Sequence, residues 1–183
     1  MGTVTTLPRG RALTRDDLEA MPDDGRRYEL IDGTLIVTPA PAHGHQRMVV
    51  ELLVALHKAC PDDLEVLVAP FDVAIGEDTV MQPDLLVARK SDFTPRDLPV
   101  APLLAVEVLS PSTRRIDVTL KRSRYESAGC PSYWVVDPDG PALTAWQLDD
   151  GGRYVEHAHV EGDQEYAATA PFDVTINPAR LLA

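Results

Sequence analysis

Two acidic residues stand in apolar segments that the sequence predicts to be buried. Asp84 lies in residues 81–88, and Glu107 lies near the end of residues 103–109. Both segments are short, rich in Val and Leu, and bounded by Pro or polar residues, which is typical of buried strands. If the strands are antiparallel neighbours, the start of one lies beside the end of the other. We therefore expect the two carboxylates within about 3 to 6 Å of each other, close enough to share one cation.

A cation is expected because two buried carboxylates repel each other unless their charge is shared or neutralised. Hard oxygen ligands suit Mg²⁺ or Mn²⁺. The main-chain carbonyl of Val108 can supply a third ligand beside Asp84 and Glu107. Such an ion polarises a phosphate and lowers the pKa of an attacking water, which is the chemistry that phosphodiester hydrolysis needs.

Other side chains can assist at the same place. Glu29 lies on an early predicted strand and can bind the metal or orient a metal-bound water, and Gln82 can bind phosphate or a water ligand. Lys121 can orient a water or stabilise charge on the phosphate. Tyr125 shares a helix face with Lys121, and Arg124 lies alongside, so both are predicted to contact substrate.

Each of these residues also has a structural explanation. A Pro-Asp pair is common where a loop enters a strand, and Lys121 can simply pair with Asp117, four residues earlier. Tyr125 can be a packing residue. The basic run from Arg114 to Arg124 can be a solvated helix face instead of a phosphate-binding one.

Histidines offer a rival metal site. His43, His45 and His57 could suggest zinc, which prefers imidazole and thiolate ligands. The first two are only two residues apart at a predicted helix start, so they need not share a face. A capping or phosphate-contact role for one histidine fits the spacing better.

Composition sets the wider limits. The 183 residues are predicted to form one domain, residues 1–183, with a loose tail over residues 1–12. No apolar run approaches the ~20 residues that span a bilayer. The start of the chain lacks the apolar core of a signal peptide. We therefore expect a cytoplasmic protein with no membrane partner, in which Cys60 and Cys130 are reduced.

The formal net charge of −12 argues against a protein that coats nucleic acid, because phosphate binding needs clustered Lys and Arg.

The remaining elements must bring the acidic residues together. A short helix begins at Thr14, a hairpin turns at Asp32-Gly33, and a long helix covers residues 43–59. A second helix is predicted over residues 116–128, ended by Gly129. Further strands are predicted at residues 64–68, 71–75, 131–136, 143–148, 154–160 and 172–176. The result is a mixed α/β (α+β) fold with a largely antiparallel central sheet and two main helices.

These residues together carry a family resemblance. Pro83-Asp84 followed by Glu107 is similar to the core of the PD-(D/E)XK nucleases, although Leu109 stands where that signature has its lysine. A longer pattern resembles the Uma family of restriction-endonuclease-like proteins from about residue 28 to residue 138. It comprises Tyr28 to Gly33, His45, Pro83-Asp84, Glu107 to Thr113, Asp117, Lys121, Tyr125, Gly129, and Tyr133 to Pro138.

The resemblance implies a restriction-endonuclease-like fold and a Mg²⁺- or Mn²⁺-dependent endonuclease acting on DNA. It also implies that Lys121, on the following helix, replaces the missing lysine. Nucleases that cut both strands often act as dimers, so a homodimer is one arrangement to test. The alternative is a nuclease-fold protein that binds nucleic acid or a protein partner without cleaving it. The acidic charge favours this alternative, whereas the retained Asp84, Glu107 and Lys121 favour the enzyme.

Overall fold

The computed structural model describes residues 7–8 and 10–183, so residues 1–6 and 9 of the predicted tail lie outside the described residues. Its helices are α1 (Arg15–Glu19), α2 (His43–Ala59) and α3 (Arg122–Ser127), the last directly preceded by a π-helical segment, Ile116–Lys121. None of these helices is long and apolar enough to cross a membrane, within the described part of the chain. The strands are β1 (Arg27–Ile31), β2 (Thr34–Thr38), β3 (Leu64–Val68), β4 (Asp72–Gly76), β5 (Thr79–Met81), β6 (Leu85–Arg89), β7 (Asp97–Leu98), β8 (Leu104–Val108), β9 (Ser132–Asp137), β10 (Ala142–Leu148), β11 (Tyr154–Glu161), β12 (Tyr166–Ala168) and β13 (Val174–Ile176).

The strands form two main sheets. One has five strands in the order β2-β1-β5-β4-β7, and the other has six in the order β11-β10-β9-β8-β6-β3. Strands β12 and β13 form a separate hairpin. Most neighbours are antiparallel, but β8 runs parallel to β9 because the chain crosses between them through the π-helical segment and α3.

The segment predicted as one strand over residues 81–88 is in fact two strands in different sheets. Strand β5 ends at Met81 and β6 begins at Leu85, and the intervening Gln82-Pro83-Asp84 carries the chain from one sheet to the other. Pro83 has no N–H to donate, so it cannot continue a hydrogen-bonded ladder at this point. The break places Asp84 between the sheets.

The six-stranded sheet is buried on both faces. Met48, Leu52 and Leu56 of α2 pack on one face, against residues such as Val106 and Trp134. Met81, Leu86, Ala105, Tyr125 and Tyr133 pack on the other face, between this sheet, the five-stranded sheet and α3. Side chains alternate along a strand, so Glu107 shares its face with Ala105 and points toward α3 and the five-stranded sheet.

The hairpin of β1 and β2 turns at Asp32-Gly33, as predicted. Both residues have positive φ, 51° and 70°, which a two-residue turn of this kind requires. A Cβ on Gly33 would lie 2.5 Å from the Cβ of Ala12. Glycine is needed at this position for the close approach as well as for the backbone conformation.

The burial of α2 leads to a stability prediction. Replacing the fully buried Leu52 with Ala should lower the free energy of unfolding by about 2–5 kcal/mol, because it removes apolar contacts and leaves a cavity. Val50 lies on the same helix but is 50% exposed, so Val50→Ala should change that free energy by no more than about 0.5 kcal/mol. Urea denaturation followed by circular dichroism measures both, and equal effects would contradict this packing.

Candidate active site

Asp84 and Glu107 meet at one end of the six-stranded sheet. Strands β6 and β8 are antiparallel, with Leu85 opposite Val106, so continuing the ladder by one residue sets Asp84 opposite Glu107. The Val108 N–H donates to Asp84 Oδ2 at 2.8 Å. This bond ties the start of β6 to the end of β8, as the antiparallel prediction required.

Lys121 lies in the middle of a buried acidic cluster. Its Nζ is 2.8 Å from Glu29 Oε1, 3.1 Å from Glu107 Oε1 and 3.6 Å from Asp117 Oδ1. All four side chains are buried, and Lys121 is only 1% exposed. The structure thus places Lys121 against Glu107, while Leu109 packs in the apolar core. The catalytic role of this lysine stays a prediction.

Asp84 has its own cationic partner. Arg27 NH1 is 3.0 Å from Asp84 Oδ1, and Arg27 Nε is 3.7 Å from Glu29 Oε2. His45 Nε2 lies 3.1 Å from Asp84 Oδ2. The carboxylate of Asp84 therefore contacts an arginine, a histidine and the Val108 amide.

Glu29 joins the two halves of the site. Its Oε1 accepts a hydrogen bond from the Gln82 N–H at 2.8 Å and also contacts Lys121. A purely structural role for Glu29 would be a salt bridge to Arg26 or Arg27 well away from Asp84. Arg27 does contact Glu29, but the same arginine binds Asp84, so Glu29 belongs to the cluster.

The three predicted substrate contacts fall in different places. Gln82 lines the cleft described below, and its Nε2 donates to Asp72 Oδ1 at 2.8 Å. Arg124 pairs with Asp32 of the hairpin turn at 2.7 Å. Tyr125 is fully buried, with its ring 5.4 Å from that of Tyr133. Neither Arg124 nor Tyr125 lines the cleft, and Tyr125 is in the packing position that was its structural alternative.

Sequence reasoning gave no site role to Arg27 and treated Asp117 only as a pairing partner of Lys121. Arg27 is two residues before Glu29 on β1, so both side chains share one face of the strand; that spacing was an available signal. The sequence suggested capping or phosphate contact for one histidine; in the structure, His45 Nε2 contacts Asp84 Oδ2. His43 and His57 are exposed, and no group of three or more His, Cys, Asp or Glu among the described residues is arranged to hold a metal ion.

A cleft of about 680 Å³ reaches this cluster at Asp84 and Arg27, while Glu29, Glu107, Asp117 and Lys121 are not among its lining residues. Its lining also includes His45, Gln82 and Tyr28. The lining also contains many Pro and Ala residues, at positions 39–42, 69–70 and 111. Asp84 is only 4% exposed, so little of its carboxylate is open to solvent.

The two central carboxyls have opposite pKa shifts. Burial alone would raise the pKa of Asp84, but the hydrogen bond to His45 and the charge of Arg27 outweigh it and lower the pKa to about 2. Burial raises the pKa of Glu107 well above its usual range, and the nearby Asp117, Asp84 and Glu29 add to that rise. Burial likewise raises the pKa of Asp117.

Lys121 stays charged, although burial alone would lower its pKa, because Glu107 and Glu29 raise that pKa. One ammonium serves three carboxylates, so it offsets only part of the burial cost of each. This is why the pKa of Glu107 is raised although a lysine contacts it.

The charges of the cluster fit a divalent cation. Four carboxylates, those of Glu29, Asp84, Glu107 and Asp117, face two permanent cations, those of Arg27 and Lys121. If all four carboxylates are ionised, they carry two more negative charges than these two cations offset. Glu29 Oε2 and Asp117 Oδ1 are buried without a hydrogen-bond donor among the described residues. Each still has a cation nearby, Arg27 Nε at 3.7 Å and Lys121 Nζ at 3.6 Å respectively. Carboxylate oxygens are among the ligands that Mg²⁺ and Mn²⁺ prefer.

Comparison with known proteins finds a matching family model and similar solved structures. The model of the Uma2 family, described as "putative restriction endonuclease", matches residues 15–179. The chain is also similar to a crystal structure of a "putative nuclease belonging to DUF820" from Anabaena variabilis, with a TM-score of 0.69, 19% identity, and coverage of 87% of this chain and 89% of that chain. No curated protein matches the sequence. The family resemblance and the restriction-endonuclease-like α/β fold are confirmed.

The raised pKa of Glu107 predicts a pH dependence. The folded state keeps a proton on Glu107 that the unfolded state releases above about pH 4.3, the ordinary value for Glu. Stability falls as pH rises wherever the folded state binds more protons. Without divalent cations, the free energy of unfolding should therefore decrease as pH rises above this value, and Glu107→Gln should reduce that decrease. Denaturant titrations across this range measure it; a parent and a variant with parallel pH profiles would contradict the assignment.

Proposed function

We propose that this chain, which belongs to the Uma2 family of restriction-endonuclease-like proteins, is a metal-dependent endonuclease that hydrolyses DNA phosphodiester bonds. The observation that supports it best is the Lys121 ammonium, 3.1 Å from Glu107 and 2.8 Å from Glu29, in a buried cluster that also contains Asp84, and Asp84 lines a cleft. Acidic residues and a lysine on neighbouring elements are the set that this chemistry needs.

Asp84 and Glu107 would hold Mg²⁺ or Mn²⁺, with the carbonyl of Val108 as a third ligand. When bound, the ion supplies Lewis-acid activation of the phosphate and a lowered pKa for the attacking water. Asp84 is suited to this role because its low pKa keeps it ionised across the physiological range.

The other side chains of the site would position the reacting groups and stabilise charge on the phosphate. Lys121 carries a fixed positive charge for the phosphate in the transition state, where a preorganised donor acts most strongly. Glu29 contacts the ammonium of Lys121. It also accepts a hydrogen bond from the Gln82 N–H, and Gln82 lies two residues before Asp84. Arg27 lines the cleft and can exchange Asp84 for a phosphate oxygen, with which arginine pairs well.

A second candidate is a nuclease-fold protein that binds a partner without cleavage. It is favoured by the contacts of Asp84, whose oxygens are already held by Arg27, His45 and the Val108 amide. In such a protein the buried ions would serve the fold alone, and a divalent cation would have no effect on its stability. Metal binding therefore separates the two candidates before any substrate is known.

We expect Mn²⁺ to raise the melting temperature of the parent protein. A ligand at a hundred times its Kd adds about 2.7 kcal/mol of stability, or about 5–10 °C for a chain of this size. Asp84→Asn should abolish the rise. Asp23 also lines the cleft but is exposed, so Asp23→Asn is the matched control and should keep it. If neither Mn²⁺ nor Mg²⁺ changes the melting temperature of the parent protein, the result supports the second candidate, a protein that binds a partner without cleavage.

Plasmid cleavage with Mn²⁺ tests the lysine. Lys121→Ala should reduce the rate by about 10²–10³-fold, the usual cost of one charge-stabilising group. The variant leaves buried carboxylates unpaired, which costs about 3–5 kcal/mol of stability, so circular dichroism must show that it is folded at the assay temperature. Arg122 stacks on Trp146 at 4.9 Å, and Arg122→Ala should cut nearly as well as the parent.

The assignment of Lys121 is wrong if folded Lys121→Ala cuts as fast as the parent while Asp84→Asn does not cut. If the parent cuts no DNA although Mn²⁺ stabilises it, the endonuclease proposal itself fails.

A further inference from the structure

The basic residues that follow Glu107 do not form a phosphate-binding face. Arg114 pairs with Asp137, Arg122 lies over the Trp146 ring, Arg124 pairs with Asp32, and Lys121 is buried. Of the five basic side chains in this run, Arg115 alone has no partner among the described residues. A phosphate that approached the two arginine pairs would also meet the acid that each pair contains.

The cleft itself is not basic either. Its lining contains three arginines, Arg15, Arg26 and Arg27, and four carboxylates, Glu19, Asp23, Asp72 and Asp84. Each arginine contacts an acid: Arg15 binds Asp97, Arg26 binds Asp24, and Arg27 binds Asp84. These arginines and carboxylates sum to one net negative charge, and one divalent cation would change that to one net positive charge. That charge suits a single phosphodiester.

Duplex DNA makes a different demand. It carries a negative charge for about every 1.7 Å of helix axis, and proteins that bind it neutralise several phosphates at once with Lys and Arg. The chain as a whole has a net charge of −12. A duplex laid across this cleft would set many phosphates against a neutral or acidic surface.

The size and walls of the cleft suit a smaller part of a nucleic acid. Its volume of about 680 Å³ lies within the roughly 300–1,000 Å³ of pockets that bury a small molecule. Tyr28 is half-buried in the wall, and its hydroxyl donates to Asp24 Oδ2 at 2.9 Å. An aromatic ring held in this way offers a stacking surface for an unpaired base.

We infer that the substrate is single-stranded DNA, which places one or two phosphates at Asp84 and stacks an unpaired base on Tyr28. This inference rests on the proposed endonuclease activity and specifies its substrate. A flexible single strand of DNA can bring one phosphate to the nearly inaccessible Asp84 while its other phosphates stay in solvent. A single active site then suffices, since there is no second strand to cut.

The test compares a short 5′-labelled oligonucleotide, alone and annealed to its complement, with the parent protein and Mn²⁺. We expect kcat/KM for the single strand to exceed that for the duplex on the order of tenfold or more, the worth of about one stacked base. A plot of log(kcat/KM) against log salt should have a slope shallower than about −2, because three phosphate contacts on a single strand already give that value.

Equal or faster cleavage of the duplex, or a steeper slope, overturns the inference and leaves the endonuclease proposal standing. Cleavage of neither substrate, in a protein that Mn²⁺ stabilises, overturns both.

Variants at two positions, Tyr28 and Arg115, test where the single strand binds. Tyr28→Ala should raise KM for the single strand by roughly 5- to 150-fold, the range for one lost stacking contact, whereas Tyr28→Phe keeps the ring and should stay near the parent. Arg115→Glu reverses the unpartnered charge of the basic run and should leave KM unchanged. A large effect of Arg115→Glu with none of Tyr28→Ala would instead assign binding to the helix face and overturn the inference.

Discussion

A single buried ammonium, that of Lys121, holds together parts of the chain that would otherwise repel. Its three carboxylate partners come from β1 in the five-stranded sheet, β8 in the six-stranded sheet and the π-helical segment. Apart from these contacts and the Arg27–Asp84 pair, apolar residues such as Ile31, Val73 and Leu86 pack between the sheets. Apolar packing is not directional, so it does not by itself fix how the sheets meet. The ion cluster does, because removing one partner of a buried pair leaves an uncompensated charge.

The same cluster shows a compromise between stability and chemistry. A core built only for stability would replace buried charges with apolar groups of similar volume, which is often neutral or stabilising. Here the acidic residues outnumber the permanent cations, and Glu107 is protonated more readily than an ordinary glutamate. Asp84, only one strand away, stays ionised because Arg27 and His45 contact it. Two carboxyls with divergent pKa values at one site are a common property of catalytic centres.

The sequence predicted the parts of this site that depend on strand patterning. Short Val- and Leu-rich runs identified β6 and β8, and their antiparallel pairing was enough to bring Asp84 beside Glu107. The apolar pattern could not show that residues 81–88 pass from one sheet to the other. A buried strand and a buried segment that connects two sheets are equally apolar. Arg27 was missed because an arginine on a half-exposed strand is ordinary until its partners are known. Arg124 and Tyr125 were misplaced relative to the cleft because helical spacing gives relative directions and not the orientation of the helix on the sheet.

The π-helical segment that ends at Lys121 bears on how such a site can arise. Each of its turns closes through i→i+5 hydrogen bonds and holds one residue more than an α-turn. Residues beyond one such turn are rotated by about 100° relative to an uninterrupted α-helix. Adding or removing one residue in a helix that stayed regular would turn the Lys121 side chain by about 100°, away from Glu29 and Glu107. The position of this buried charge thus depends on the number of residues in the π-helical segment that precedes α3.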